Sequence, residues 1–205
     1  MALTLRDIKR SLTEQTIVEK ALALFKQHGY AQVSVRQIAK AALVSEKTVF
    51  NYFPYKELIV LAGAQPGLTG FMDAIQQQID EIVDPTEVLR NFGARLAEWC
   101  VAEPEAAPIV ITELLTSDAA RLAAAMRYVP DFYGPIRTVM TLARAQGKLR
   151  PEISVEYATD FFLSSVFNVL RTHLANGQLE RLGPMLNAML EIFSHGAFQP
   201  TGGKS

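Results

Sequence analysis

The chain has 205 residues, of which 49% are hydrophobic, so it can bury a sizeable core, and this composition argues against global disorder. The formal net charge is −1, but residues 1–60 carry nine Lys and Arg against five Asp and Glu, whereas residues 61–205 carry eleven against sixteen. A basic first segment on an acidic remainder is compatible with phosphate binding, although a split of this size also arises by chance.

The composition and the start of the chain also limit the compartment. Cys100 is the single cysteine, which excludes an intrachain disulfide and a multi-cysteine metal site. Residues 1–10 alternate apolar residues with charges and lack the apolar stretch of an export signal. No later apolar run approaches the ~20 residues that span a bilayer. We therefore expect a cytoplasmic protein without a membrane partner.

The first predicted helix covers residues 13–28. Ile17, Ala21 and Phe25 recur there at helical spacing, and Gly29 supplies a C-terminal stop. This helix is expected to bury its apolar face against the next two helices.

Two short helices are predicted after it. The first begins at Ser34, whose hydroxyl can cap it while the glutamine three residues later reaches back, and it continues to about Ala42. The second is capped by Ser45 and directs Phe50 and Phe53 toward the core. A fourth helix then opens near Pro54.

The pattern stays helical from residue 55 to 198, and we find no convincing strand or hairpin. Predicted breaks fall at Pro66-Gly67, Asp84-Pro85, Glu103-Pro104, Ser117-Asp118, Gly147 to Pro151, and Asn176-Gly177. The predicted fold class is therefore all-α, with a three-helix N-terminal domain at 1–57, a larger helical domain at 58–198 and a flexible polar tail at 199–205.

The two short helices and their tight connection predict a helix-turn-helix, a motif whose second helix enters the major groove of DNA. The first residues of that helix would face base edges, with Asn51 one turn further, and other polar residues would contact phosphates. The alternative is a compact helical corner of an unrelated protein. The predicted DNA-binding residues are Ser34, Arg36, Ser45, Glu46, Lys47, Thr48, Asn51, Tyr52 and Lys56.

Three ordered stretches carry a family resemblance. They are Ile17-Val-Glu-Lys-Ala-Leu-Ala-Leu-Phe-Lys-Gln-His-Gly-Tyr30, Val35-Arg-Gln-Ile-Ala-Lys-Ala-Ala42 and Val44-Ser-Glu-Lys-Thr-Val-Phe-Asn-Tyr-Phe-Pro-Tyr-Lys-Glu57. Together they resemble the DNA-binding domain of the tetracycline-repressor (TetR) family. The resemblance implies a homodimer, a palindromic DNA operator and altered binding when a small-molecule effector enters the C-terminal domain.

Two positions depart from the family pattern. Leu43 stands where the family usually places glycine, and a non-glycine residue in a left-handed turn costs ~1–2 kcal/mol. Pro66-Gly67 should break or kink the helix that links the two halves, through which the family transmits the ligand signal.

The last two predicted helices are candidates for a dimer interface. Residues 161–174 are apolar around most of a helix, and the following helix has an apolar face, so pairing with a second chain would form a four-helix bundle. The alternative is that both helices belong to a monomeric core. The predicted interface residues are Phe167, Leu170, Leu174, Leu182, Leu186, Met189 and Phe193.

Aromatic residues upstream suggest a ligand pocket. Pro130 and Pro135 fall inside one predicted helical stretch, which should kink or loosen there. Large aromatics with a few polar groups line ligand pockets, but they also line cores. The predicted pocket residues are Phe92, Arg95, Trp99, Met126, Tyr128, Phe132, Tyr133, Met140, Phe161 and Phe162.

Other chemistry has little support in the sequence. The three histidines lack metal-ligand spacing, Gly203-Lys204-Ser205 lacks the rest of a phosphate loop, and no nucleophile motif is present, so no metal, cofactor or enzyme is expected. Cys100 could be a redox sensor only if its thiol were exposed. The leading hypothesis is a sequence-specific transcriptional regulator, acting as a repressor, that responds to an apolar or aromatic ligand. The alternative is a small-molecule carrier or scaffold that does not read DNA.

Overall fold

The computed structural model describes residues 4–81 and 84–197, so the predicted tail at 199–205 lies outside the described residues. The described residues contain α-helices and short 3-10 turns but no strand, which confirms the all-α prediction. The α-helices in chain order are α1 (Leu5–His28), α2 (Val35–Ala41), α3 (Glu46–Tyr52), α4 (Glu57–Glu81), α5 (Pro85–Ala102), α6 (Ala106–Leu114), α7 (Ala119–Ala125), α8 (Tyr133–Ala145), α9 (Val155–Ala175) and α10 (Leu182–Ala197).

The chain divides into two compact units. The first comprises Met1–Pro66 and Thr116–Val129, and the second comprises Gly67–Leu115 and Pro130–Ser205. The first unit therefore ends later than the predicted boundary at residue 57 and also includes α7.

The helices of the first unit begin where side-chain caps satisfy backbone amides. The Ser34 hydroxyl accepts a hydrogen bond from the amide of Gln37 at 3.3 Å, and the Gln37 side-chain oxygen accepts one from the Ser34 amide at 2.8 Å. Ser45 caps α3 by accepting a hydrogen bond from the amide of Thr48 at 3.0 Å. Both caps confirm the predicted helix starts, because capping depends on residues only three positions apart.

Helix α1 begins eight residues earlier than the sequence pattern predicts. Thr4 and Asp7 form a capping box, in which the Thr4 hydroxyl accepts from the Asp7 amide at 3.2 Å and the Asp7 carboxylate accepts from the Thr4 amide at 3.0 Å. The added turns are almost entirely exposed, so they lack the apolar periodicity on which the prediction relied.

The connection between α2 and α3 is a Schellman turn. The amide of Val44 donates to the carbonyl of Ala39 at 3.0 Å, and the amide of Leu43 donates to that of Lys40 at 3.3 Å. Leu43 has a φ of 56°, so it occupies the left-handed conformation that favours glycine, and its side chain is 93% exposed. No packing of that side chain offsets the strain.

Helix α4 runs without interruption from Glu57 to Glu81, so the predicted break at Pro66-Gly67 is wrong. Proline removes one backbone hydrogen bond from a helix, but here the turns on both sides continue. In the first unit, a Cβ at Gly63 would lie 2.8 Å from both terminal carbons of Leu22, so glycine allows α4 to run close to α1. By length and composition alone α4 could also cross a membrane, a test that core helices of soluble proteins pass as well.

The second unit follows the predicted breaks closely. Asp84 caps α5 with Pro85 at its first position, and Gly147 and Gly177 take left-handed conformations after α8 and α9. Helix α10 packs against α5 and α9, and α8 packs against α9. The predicted single stretch through Pro130 and Pro135 is instead divided, because α7 ends before Pro130 and α8 begins at Tyr133. Pro135 then lies in the first turn of α8, where its missing amide has no helical partner to lose.

The strain at Leu43 predicts a stabilising substitution. Leu43→Gly is expected to raise the free energy of unfolding by ~0.5–1 kcal/mol, because relief of the left-handed penalty exceeds the extra entropy of glycine in the unfolded chain. Chemical denaturation of both proteins measures the difference. Leu43→Ala is the matched control: it keeps the Cβ and should bring no such gain. An equal gain in both variants would contradict backbone strain as the cause.

Candidate functional site

Helix α3 presents a polar outer face in the first unit. Glu46, Lys47 and Asn51 are exposed, whereas Val49 is 1% exposed and holds the helix to the core. Thr48 is half-buried, and its hydroxyl lies 2.8 Å from that of the capping Ser45. Four predicted reading residues therefore begin the helix together, with Asn51 about one turn further along.

Phe50 lies on this outer face, so the prediction that it packs in the core is wrong. Its side chain is 48% exposed, whereas Phe53 is 1% exposed and buried as predicted. Phe50 follows Glu46 by four residues and Lys47 by three, and helical spacing alone places it beside them. An exposed aromatic ring at that position can contact a thymine methyl group.

The N-terminus of α2 carries two further predicted DNA-binding residues. Arg36 is exposed and free to extend toward a phosphate. Ser34 is exposed too, but its hydroxyl lies 2.8 Å from the Gln37 side-chain oxygen and also completes the helix cap. Arg36 is therefore the exposed cation of this helix start, and Ser34 is a cap.

Lys56 does not point freely outward, in contrast to its predicted role as a phosphate ligand. Its ammonium donates to the carbonyl oxygens of Tyr30 and Val33 at 2.9 and 3.0 Å and lies 3.9 Å from the centroid of the Tyr30 ring. Partial burial lowers the pKa of Lys56, an effect that the neighbouring Glu57 carboxylate opposes. Lys56 therefore ties the start of α4 to the segment between α1 and α2.

A basic cluster at the start of α1 was missed by the sequence analysis. Arg6, Lys9 and Arg10 line a cavity of about 500 Å³, together with Leu5, Thr13 and Tyr52. The guanidinium carbon of Arg10 lies 5.9 Å from the centroid of the Tyr52 ring, so the predicted phosphate ligand Tyr52 is half-buried beside a cation. The signal that could have found this cluster is the Thr4-x-x-Asp7 capping box, which extends the helix over these cations.

Residues 116–129 place two predicted pocket residues in the first unit. The Tyr128 hydroxyl donates to the Glu14 carboxylate at 3.1 Å, and its ring stacks on Phe53 at 6.0 Å between centroids. Burial, reinforced by the Glu14 charge, raises the pKa of Tyr128 to about 12. Met126 is 50% exposed in the same unit. Both residues therefore belong to the first unit, whereas Phe92, Phe132 and Phe162 of the predicted pocket belong to the second.

The predicted pocket aromatics of the second unit do gather in one cluster. The Phe92 ring lies 6.3 Å from that of Phe132 and 5.9 Å from that of Phe162. Phe71 and Phe167, which the sequence analysis did not assign to a pocket, extend the cluster at 5.4 Å from Phe92 and 6.1 Å from Phe132. These rings fill the space among α4, α5, α8 and α9, so a ligand entering there must displace side chains.

The remaining predicted pocket residues lie in different surroundings. Met140 is fully buried, Trp99 is half-buried, and Arg95 is exposed on α5. Phe161 is 51% exposed and stacks on Phe193 at 6.3 Å, so its position on the surface of α9 contradicts a pocket lining.

An open cleft lies beside the aromatic cluster in the second unit. Its volume is about 540 Å³, and Phe167 belongs both to the cleft and to the cluster. The predicted pocket residue Tyr133 also lines it. The other lining residues are Leu115, Asp160, Leu163, Ser164, Asn168 and Arg171. The cleft therefore combines apolar side chains with polar and charged ones, as small-ligand sites usually do.

Most of the predicted dimer residues are covered by their own protomer. Leu170, Leu174, Leu182, Leu186 and Phe193 are all between 0% and 7% exposed, whereas Phe167 and Met189 are half-buried. A side chain that is already buried offers no area to a partner, so these five positions are corrected to core. The large apolar side chains that are exposed on the same two helices are Tyr157, Phe161, Met185 and Ile192.

Two other kinds of chemistry have no geometric basis. Burial raises the pKa of the Cys100 thiol to about 12, and the side chain is fully buried, so a reactive thiolate is not available. Within residues 4–81 and 84–197, no group of three His, Cys, Asp or Glu side chains could hold a metal ion.

Comparisons with known proteins agree on a regulatory family. Residues 17–62 match the family of bacterial regulatory proteins described as the tetR family. The HTH-type transcriptional repressor NicS of Pseudomonas putida is 24% identical over 71% of this chain and 70% of its own length. The fatty acid metabolism regulator protein of Bacillus subtilis is 21% identical over 88% of this chain and 93% of its own length. A crystal structure of Thermus thermophilus FadR, a repressor in complex with lauroyl-CoA, is 28% identical with a TM-score of 0.80, covering 94% of this chain and 99% of that one.

The two hydrogen bonds of Lys56 predict a structural effect. Lys56→Met keeps most of the side-chain stem but leaves two carbonyl groups without their donor, so the free energy of unfolding should fall by ~1–3 kcal/mol. Denaturant titration followed by circular dichroism measures the loss. The matched control is Lys47→Met, which removes an exposed lysine from α3 and should change stability by less than ~0.5 kcal/mol. Equal free energies of unfolding for the two variants would contradict the structural role of Lys56.

Proposed function

We propose that this chain, which belongs to the TetR family of bacterial transcriptional regulators, represses transcription by binding an inverted-repeat operator as a homodimer and is released by an apolar ligand with an anionic head. The observation that carries the proposal is the capped helix α3, whose outer side chains are exposed while Val49 and Phe53 anchor it. A helix held in this way can enter the major groove as a rigid reader.

The proposed division of labour follows the geometry of the first unit. Glu46, Lys47, Thr48 and Asn51 read base edges, and Phe50 supplies an apolar contact. Arg36 at the start of α2 neutralises a phosphate, which fixes orientation without conveying sequence information. Lys56 acts indirectly, since it holds the scaffold on which α2 and α3 rest.

A homodimer is supported by the apolar surface of α9 and α10. Ile192 is 76% exposed, and Tyr157 and Phe161 are 62% and 51% exposed on α9. Tyr157 stacks on Phe161, which in turn stacks on the buried Phe193, so the exposed aromatic residues of α9 lie against α10. Exposed apolar residues on two adjacent helices suit an isologous four-helix bundle, and such a dimer carries two copies of α3.

The ligand class is proposed from the cleft and from the related repressor. Thermus thermophilus FadR binds lauroyl-CoA, a ligand with a long apolar chain and an anionic headgroup. In this chain Leu115, Leu163 and Phe167 give the cleft an apolar lining that Phe167 shares with the aromatic cluster. Arg171, whose guanidinium also donates to the Asn168 side-chain oxygen at 3.0 Å, can pair with an anion. We therefore propose a long-chain acyl-CoA as the effector.

Recognition of a specific DNA sequence is tested by selecting the duplexes that the protein binds from a randomised library at two salt concentrations. The wild-type protein should enrich an inverted repeat with half-sites about 34–36 Å apart or a multiple of that. Asn51→Ala should relax the preference at one position of each half-site, because loss of a base contact removes ~1–3 kcal/mol of discrimination.

Two further variants make this selection specific. Asn176→Ala removes an exposed asparagine of the second unit and should leave the motif unchanged. Ile192→Glu, which places a charge on the apolar surface of α9 and α10, should retain the half-site but lose the inverted repeat. Salt-sensitive binding without any enriched motif would instead support a carrier or scaffold that does not read DNA.

Ligand release is tested by titrating lauroyl-CoA into the protein bound to its selected operator, with CoA alone and laurate alone as separate arms. Only the intact thioester should release the duplex at low concentration, because it contacts both the apolar and the charged side chains of the cleft. Arg171→Gln should weaken release by roughly tenfold or more, since a hydrogen bond to a charged group contributes ~1.5–3 kcal/mol. Arg137→Gln, which removes an exposed arginine of α8, should behave as wild type. Release that is equal in all three arms would refute the proposed ligand class.

A further inference from the structure

We propose that the first turns of α1 form a second DNA-binding element, in which Arg6, Lys9 and Arg10 hold backbone phosphates in the cavity that they share with Tyr52. This inference rests on the proposed function, because the phosphates belong to the duplex that α3 reads. It adds a footprint outside the helix-turn-helix that neither the family match at residues 17–62 nor the predicted site residues include.

The cavity joins two helices of one unit. Its volume is about 500 Å³; α1 supplies most of its lining, and Tyr52 comes from the last residue of α3. The Arg10 guanidinium carbon, 5.9 Å from the centroid of the Tyr52 ring, links the two helices by a cation–π contact. The basic side chains are therefore held next to the recognition helix.

The positive charges at this place are only partly balanced by carboxylates of the protein. Lys9 and Arg10 follow Arg6 by three and four residues on α1, and none of the three forms an ion pair with a carboxylate among the described residues. Two acidic residues lie nearby, and both accept hydrogen bonds: Asp7 from the Thr4 hydroxyl and amide, and Glu14, one turn after Arg10, from the Tyr128 hydroxyl at 3.1 Å. The hydrogen bonds from Thr4 lower the pKa of Asp7, and the charge of Arg10 adds to this effect. Three exposed cations beside two hydrogen-bonded carboxylates leave a positive surface that attracts a polyanion.

The position of Tyr52 favours duplex phosphates over a small ligand. Tyr52 directly follows Asn51, so the cavity begins beside a side chain that reads bases. Arg6 and Lys9 are exposed, and Leu5, the aliphatic residue of the lining, is itself 78% exposed. A small ligand would find little apolar enclosure there, whereas a phosphate backbone that flanks the major groove needs only charge and hydrogen-bond donors.

The experiment measures operator affinity of Arg6→Gln/Lys9→Gln against salt concentration. Each phosphate contact contributes about 0.9 to the slope of log K against log salt, so loss of both should reduce the slope by about 2 and weaken binding roughly tenfold at moderate salt. The ranking of operator sequences should stay unchanged. Ethylation of operator phosphates outside the half-site should impair wild-type binding but not that of the variant.

Matched variants separate this site from general effects. Lys20→Gln/Lys26→Gln removes two exposed lysines of the same helix, beyond the cavity lining, and should keep the wild-type slope. Arg6→Lys/Lys9→Arg conserves charge and should keep it as well. An unchanged slope in Arg6→Gln/Lys9→Gln, while wild type binds its operator, would overturn the phosphate site alone. A wild-type protein that binds no duplex would overturn the operator proposal and this inference with it.

Discussion

The exposed outer face of α3 depends on one constraint. Helix α2 must end and α3 must begin within four residues, and the backbone groups between them need hydrogen-bond partners. The amides of Leu43 and Val44 satisfy carbonyls at the end of α2, and the Ser45 hydroxyl satisfies an amide at the start of α3. This geometry requires one left-handed residue. After α8 and α9 the same turn is made by Gly147 and Gly177, whereas here Leu43 adopts it at an energetic cost.

The parts of the fold that could be predicted are those determined by neighbouring residues. The Ser34 and Ser45 caps and the breaks at Asp84-Pro85 and Asn176-Gly177 depend on interactions within a few positions, and each lies where it was expected. The prediction of a break at Pro66 was wrong because it considered only the residue's local effect. Its local penalty is real, but a helix of 25 residues continues through it because the turns on both sides retain their own hydrogen bonds.

The site was harder to predict because the chemical type of a side chain does not reveal the direction in which it points. Lys56 has the charge that suits a phosphate, yet its ammonium turns toward two carbonyls, and Phe50 has the apolar ring of a core residue, yet it faces solvent. Tyr128 meets Glu14 across 114 positions of sequence, a distance that no periodic pattern reports. The dimer prediction was similarly limited, because an apolar helix shows how much area must be covered but not which side its own protomer covers.

Because α7 belongs to the first unit while α6 and α8 belong to the second, the polypeptide passes from one unit to the other at Pro66, Leu115 and Val129. The first unit is thus not a contiguous module. A gene segment that ends after α4 would lack Tyr128, which covers Phe53, and Arg121, which lies 3.8 Å from Glu57. Recombination can therefore transfer the first unit intact to another protein only if the recipient supplies an equivalent of residues 116–129.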